Sequence, residues 1–153
     1  MTEKEYELLA KQVAAMTEGV PYWIANLANI SALLYQTLPE INWAGFYLME
    51  NGKLVLGPFQ GKPACIEIEV GKGVCGTAVE RNETVIVKNV HEFPGHIACD
   101  GASASEIVIP IHRESEIIGV LDIDSPIKAR FSETDGQGLE KIVQIIEQIR
   151  EKN

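Results

Sequence analysis

Asn51-Gly52 stands between two apolar runs, Asn42-Trp-Ala-Gly-Phe-Tyr-Leu-Met-Glu50 and Lys53-Leu-Val-Leu-Gly57. Asn-Gly fits a two-residue turn in which both central residues take positive φ, the strongest short signal for a β-hairpin. It commits the middle of the chain to antiparallel pairing. Upstream the apolar period is helical instead: Leu8, Leu9, Val13 and Met16 repeat at helical spacing, and Gly19 and Pro21 close that segment. A second helical run, Ile24, Leu27, Ala28, Ile30, Leu33 and Leu34, stops before Pro39.

Downstream, Cys65-Ile-Glu-Ile-Glu-Val70 alternates apolar and charged residues, as a half-exposed strand does. Gly73 to Glu80 reads as a short helix and Thr84 to Val87 as a short strand. Beyond a long loop, Asn89 to Ser105, two strands follow, Glu106 to His112 and Ile117 to Ile123, joined by Arg113-Glu-Ser-Glu116. Ser132-Glu-Thr-Asp135 is a capping box opening a last helix, with Leu139, Ile142, Val143, Ile146 and Ile149 on one face. Consecutive hairpins predict an α+β domain over residues 1–153: a mostly antiparallel sheet with helices packed on one face.

A chain of 153 residues that is 46% hydrophobic buries a core without help from metal or disulfide. Its formal net charge of −9, with no Lys or Arg between Asn89 and His112, argues against nucleic acid and anionic membrane surfaces as partners. The start of the chain lacks the basic and apolar regions of a signal peptide, and no apolar run approaches the roughly 20 residues of a membrane helix. A cytoplasmic protein is expected.

Three cysteines, Cys65, Cys75 and Cys99, lie in the middle third. An odd count argues against a finished disulfide framework, so the thiols are metal ligands, catalysts or core filler. With His91 or His96 they number enough for zinc, yet no pair has the close C-x₂₋₄-C spacing of structural sites, and thiol chemistry is preferred; no metal or cofactor is expected. Cys75, between Val74 and Gly76, fits a small buried hydrophobe. Cys99 differs: it sits in a polar, Gly-flanked loop, where reactivity explains more than burial. Gly71-Lys-Gly73-Val-Cys-Gly76 matches G-x-G-x-x-G, but its second strand arrives too early and ends in Lys88-Asn89, so a tight strand-to-helix turn is the better reading.

Carboxylates form a second constellation. Glu106 opens one strand, and Asp122 and Asp124 flank Ile123 in the next, where residues two apart share a face. Leu121 and Ile123 then take the core face. Like charges together in a central strand are costly unless a cationic ligand, a shared proton or hydrogen bonds offset them.

Several segments together resemble a GAF domain, and specifically the free methionine-(R)-sulfoxide reductase family. They are Asn42-Trp-Ala-Gly-Phe-Tyr47, Leu56-Gly-Pro-Phe-Gln-Gly61-Lys-Pro-Ala-Cys65, Gly71-Lys-Gly-Val-Cys75-Gly, His96-Ile-Ala-Cys99-Asp, Ser105-Glu106-Ile-Val-Ile-Pro110 and Gly119-Val-Leu-Asp-Ile-Asp-Ser125. The cysteine separations of 10 and 24 residues are similar to the family's pattern. The resemblance implies reduction of free L-methionine-(R)-sulfoxide, with Cys99 as nucleophile, Cys65 condensing with its sulfenic acid, Cys75 as helper and thioredoxin as reductant. It also implies a homodimer. The residue chemistry agrees: Glu106, Asp122 and Asp124 suit an ammonium group, a protonated carboxyl suits the sulfoxide oxygen, and Trp43 or Tyr47 suits the S-methyl group. The same carboxylates raise the expected pKa of Cys99, with His91 and His96 as the nearby offsets until substrate brings its own cation. A non-catalytic sensor module binding a small ligand is the rival reading.

Overall fold

A computed structural model describes the backbone of residues 1–95 and 101–152, and within those the side chains up to residue 149. Helix α1 (Glu3–Thr17) opens on a capping box: the Thr2 hydroxyl accepts from the Glu5 N–H, and the Glu5 carboxylate accepts from the Thr2 N–H. This satisfies donors that a helix start otherwise leaves orphaned. Helix α2 (Trp23–Thr37) follows, then the hairpin β1 (Trp43–Glu50) and β2 (Lys53–Gly61) around Asn51-Gly52, both at positive φ. The chain continues through β3 (Glu67–Glu69), α3 (Gly73–Arg81), β4 (Val85–Val87) and a 3₁₀ turn at Val90–Glu92. The second hairpin, β5 (Ser105–Arg113) and β6 (Glu116–Ser125), precedes α4 (Glu133–Lys152). Ser132 and Asp135 make the expected capping box, the Ser132 hydroxyl accepting from the Asp135 N–H and the Asp135 carboxylate from the Ser132 N–H.

The strands form one six-stranded antiparallel sheet in the order β3-β2-β1-β6-β5-β4. The two hairpins meet through β1 and β6, so β6 is central. Strand alternation then divides the molecule into two apolar layers. On one face Phe46, Ile107, Ile109, Leu121 and Ile123 pack beneath α1, α2 and α4, against Leu9, Val13, Ile30, Leu34, Ile142 and Ile146. On the other, Trp43, Tyr47, Val108 and Val120 pack with Val74, Cys75 and Ala78 of α3.

Of the four α-helices among the described residues, α1, α2 and α4 share one face, and α3 crosses the other. Its approach depends on Gly76, where a Cβ would stand 2.3 Å from the Glu69 carbonyl oxygen. The Cys65–Val70 segment is shorter as a strand than its alternation suggests. The ladder covers only β3, against Lys53–Val55, with one further bond from the Leu56 N–H to the Ile66 carbonyl, and of the segment's isoleucines Ile68 is buried while Ile66 is 69% exposed. An edge strand that turns at Gly71 into a covering helix has one inward position to fill.

Candidate active site

The α3-covered face of the sheet holds the carboxylates. Across β1 and β6, Trp43 pairs with Asp124 and Gly45 with Asp122; across β5 and β6, Glu106 pairs with Asp124 and Val108 with Asp122. Residues directly opposite in a ladder point the same way. Glu106, Asp122 and Asp124 therefore converge on one side, while Leu121 and Ile123 enter the helix-covered core as their alternation requires. Asp122 and Glu106 are 5% and 9% exposed, whereas Asp124 is half-buried.

Helix α3 brings Cys75 down onto this cluster. Its sulfur, a carboxylate oxygen of Glu106 and one of Asp122 all lie within 4.8 Å of one another. Cys75 is buried, as a small hydrophobe would be, but its neighbours are carboxylates as well as apolar side chains. Burial pushes the Glu106 carboxyl well above the ordinary carboxylate range, and the charges of Asp122 and Asp124 push it further. Asp122 is also raised by burial, against hydrogen bonds with Glu106, Cys75 and Asp124 that hold it down. The Cys75 thiol rises well above its usual value, through burial first and then the charges of Asp122, Glu106 and Asp124. Three negative charges do not coexist here without a cation. Glu106 is the carboxyl best placed to keep its proton and donate it.

Aromatic side chains wall the same face. Trp43 stacks on Phe59 with centroids 5.1 Å apart and on Tyr47 at 5.9 Å. The Trp43 indole N–H donates to the Lys62 carbonyl (3.0 Å), and the Tyr47 hydroxyl donates to the Cys65 carbonyl (2.9 Å). Both rings thus pin the segment that carries Cys65. Phe46 points into the opposite core.

Sequence reasoning missed Phe59. Counted from the Asn51-Gly52 turn, an unbroken register sets Pro58 opposite Gly45, but a bulge between Gly45 and Tyr47 advances the pairing by one and brings Phe59 there. A Cβ at Gly45 would lie 2.3 Å from the Cβ of Phe59, so the missing side chain makes room for this approach. Cys99 and His96 lie outside the described residues. His91 is exposed in the 3₁₀ turn, its N–H donating to the Asn89 side chain (3.1 Å).

The antiparallel sheet with helices on both faces and a buried thiol–carboxylate cluster under the short helix is the architecture of a GAF domain, and the family model described as GAF domain matches residues 24–151. A relative from Escherichia coli (strain K12) named free methionine-R-sulfoxide reductase is 55% identical over 144 residues, covering 94% of this chain and 87% of its own. The reduced form of fRMsr of Staphylococcus aureus superposes with a TM-score of 0.92 at 57% identity, covering 94% of each chain. The free methionine-R-sulfoxide reductase of Neisseria meningitidis, solved in complex with its substrate, gives 0.93 at 42% identity over 95% of this chain and 88% of that one. The chain belongs to the free methionine-R-sulfoxide reductase family.

Proposed function

We propose that this protein reduces free L-methionine-(R)-sulfoxide to L-methionine, using its own thiols and an external dithiol. The observation that carries the reading is the pair of buried carboxyls, Glu106 and Asp122, with half-buried Asp124 beside the Trp43–Tyr47 wall. A free amino acid brings an ammonium group that a peptide-bound methionine lacks, and the aspartates are its natural partners. Protonated Glu106 is suited to hydrogen-bond the sulfoxide oxygen and protonate it. The aromatic wall suits the S-methyl group, and a relative of the same fold solved in complex with its substrate supports a reductase reading.

In this reading the Cys99 thiolate attacks the sulfoxide sulfur. The sulfur–oxygen unit is reduced by two electrons, methionine leaves, and Cys99 is left as a sulfenic acid. The Cys65 thiol then condenses with it, releasing water and forming a disulfide that a thioredoxin-type dithiol reduces by exchange. The flanks of the Cys99 segment favour this assignment: the Gly95 carbonyl accepts from the Gly73 N–H at the start of α3, and the Ala104 N–H donates to the Ser125 carbonyl at the end of β6. Cys75 is free and buried beside Asp122, which fits a helper and favours Cys65 as the resolving residue. Thiol recycling of this kind belongs in a reducing, cytoplasmic setting. Among the described residues no helix is long and apolar enough to cross a membrane. The amphipathic helices α1 and α4, with the family resemblance, favour a homodimer, which sedimentation equilibrium checks.

The test is turnover of the free R sulfoxide with thioredoxin, beside the S epimer and a peptide-bound sulfoxide. Activity confined to the free R form, lost in Cys99→Ser, is expected. No turnover of any sulfoxide by fully reduced protein would return the chain to a ligand-binding sensor role.

A further inference from the structure

The Cys75 cluster has the composition of a metal site as well as a substrate pocket. A thiol from α3 and carboxylates from β5 and β6 present three ligand atoms within 4.8 Å of one another. Asp122 is 5% exposed and points to this face of β6, and although its carboxylate bonds within the cluster, no donor among the described residues reaches its Oδ1. A buried acceptor without a donor is costly and attracts a cation. We propose that the reduced protein binds a thiophilic divalent cation of the zinc class through Cys75, Glu106 and Asp122, with a fourth position left open.

The ligand chemistry selects that class. One thiolate and two carboxylates suit Zn²⁺ or Co²⁺ rather than Mg²⁺, which demands oxygen ligands and keeps its water. Zinc bonds of about 2.3 Å to sulfur and 2.0–2.2 Å to oxygen set tetrahedral donors roughly 3.5 Å apart, so the side chains close in by no more than about 1.3 Å. Cation binding removes the cost of crowding acidic groups in a buried site, and the protons they hold are released. Affinity therefore rises with pH. The metal site stands on this geometry alone. Its consequence, that metal and sulfoxide exclude one another because both use Glu106 and Asp122, rests on the reductase reading.

The experiment uses the full chain carrying Cys65→Ser and Cys99→Ser, so that Cys75 is the one thiol. Reduced, metal-free protein is titrated with Co²⁺ and then with Zn²⁺ against a chromophoric chelator. Expected are a thiolate-to-cobalt charge-transfer band, its displacement by Zn²⁺, and no competition from millimolar Mg²⁺. Loss of outer-shell partners alone weakens metal sites by 10–100-fold, so Cys75→Ala and Asp122→Asn, checked as folded by circular dichroism, are each expected to weaken zinc about 100-fold or more. Absence of the cobalt band in the double variant, which needs no change at the site, overturns the proposal. So does zinc uptake undiminished by Cys75→Ala. Zinc binding that free methionine sulfoxide fails to displace would leave the metal site standing and count against the shared substrate pocket.

Discussion

Glu106 is set apart from the other acidic residues by its surroundings. Its carboxyl lies 9% exposed between two aspartates and a thiol, and burial raises its pKa ahead of the neighbouring charges. Such a group holds a proton where an ordinary glutamate does not, which is the requirement for a general acid near neutral pH. Glu106→Gln keeps the size and hydrogen-bonding capacity but has no acidic proton. It is expected to lower kcat by about 10²–10⁴-fold with little change in KM, read by steady-state turnover of the free R sulfoxide. An unchanged kcat would assign the proton to another group. Trp43 and Tyr47 show a different economy at the same scale. Each packs its ring on the α3-covered face of the sheet and donates from its polar tip to a backbone carbonyl, of Lys62 and of Cys65. That satisfies the buried N–H and O–H and steadies the Cys65 segment in one arrangement.

Helix α3 is the element on which the site turns. It carries Cys75, covers the carboxylates and begins where Gly73 donates to the Gly95 carbonyl. Its closeness to β3 depends on Gly76, which has the Glu69 carbonyl 2.3 Å and the Gly71 nitrogen 3.0 Å from where a Cβ would be. These are backbone atoms and cannot rotate away. Gly76→Ala is expected to destabilise the protein by about 1–3 kcal/mol and to lower activity, as α3 lifts and takes Cys75 with it. Urea unfolding of the reduced variant measures the first effect. Wild-type stability together with wild-type turnover would mean that α3 has slack at this position. Strand β6 is the complementary element, central in the sheet and divided by its alternation. Ile123 is fully buried under the helices while Asp122, one residue away, is buried under α3.

Two groups of carboxylates give the whole molecule opposite responses to pH. Asp135 anchors α4. Burial pushes its pKa up, but the Ser132 N–H, the hydroxyls of Tyr6 and Ser132, and Arg130 outweigh that and lower it from 3.8 to about 2. A depressed pKa stabilises the fold above the unfolded value, on the order of 2 kcal/mol, and that contribution is lost as pH falls from about 4 through about 2. Glu106 and Asp122 work the other way. Their folded pKa values stand above the ordinary 4.5 and 3.8, so the folded state binds more protons than the unfolded one. Stability from these groups is full below those values and is lost as pH rises through the folded ones. Asp122→Asn is therefore expected to be more stable than wild type at pH 8, with the gain shrinking towards pH 4. Denaturant unfolding of the reduced proteins across that range checks the sign; a gain that is flat with pH would remove the linkage. These carboxyls therefore cost the fold stability as pH rises.

Much of this was legible in the chain. Local chemistry is enough for Asn51-Gly52 to turn back on itself and for Ser132 and Asp135 to cap a helix, because their partners lie within a few residues. Strand period alone puts Asp122 and Asp124 together and sends Leu121 and Ile123 to the other face. Other features have no local cause. Cys75 meets Asp122 across 47 positions (122 minus 75), and Tyr47 reaches the Cys65 carbonyl across 18. Phe59 faces Gly45 through a bulge that no turn signal announces. The face that α3 covers depends on how tightly Gly76 lets a helix approach an edge strand. Period and turn chemistry belong to neighbouring residues and survive in a bare sequence; register, bulges and helix docking arise from packing between distant segments, which only the folded chain brings together.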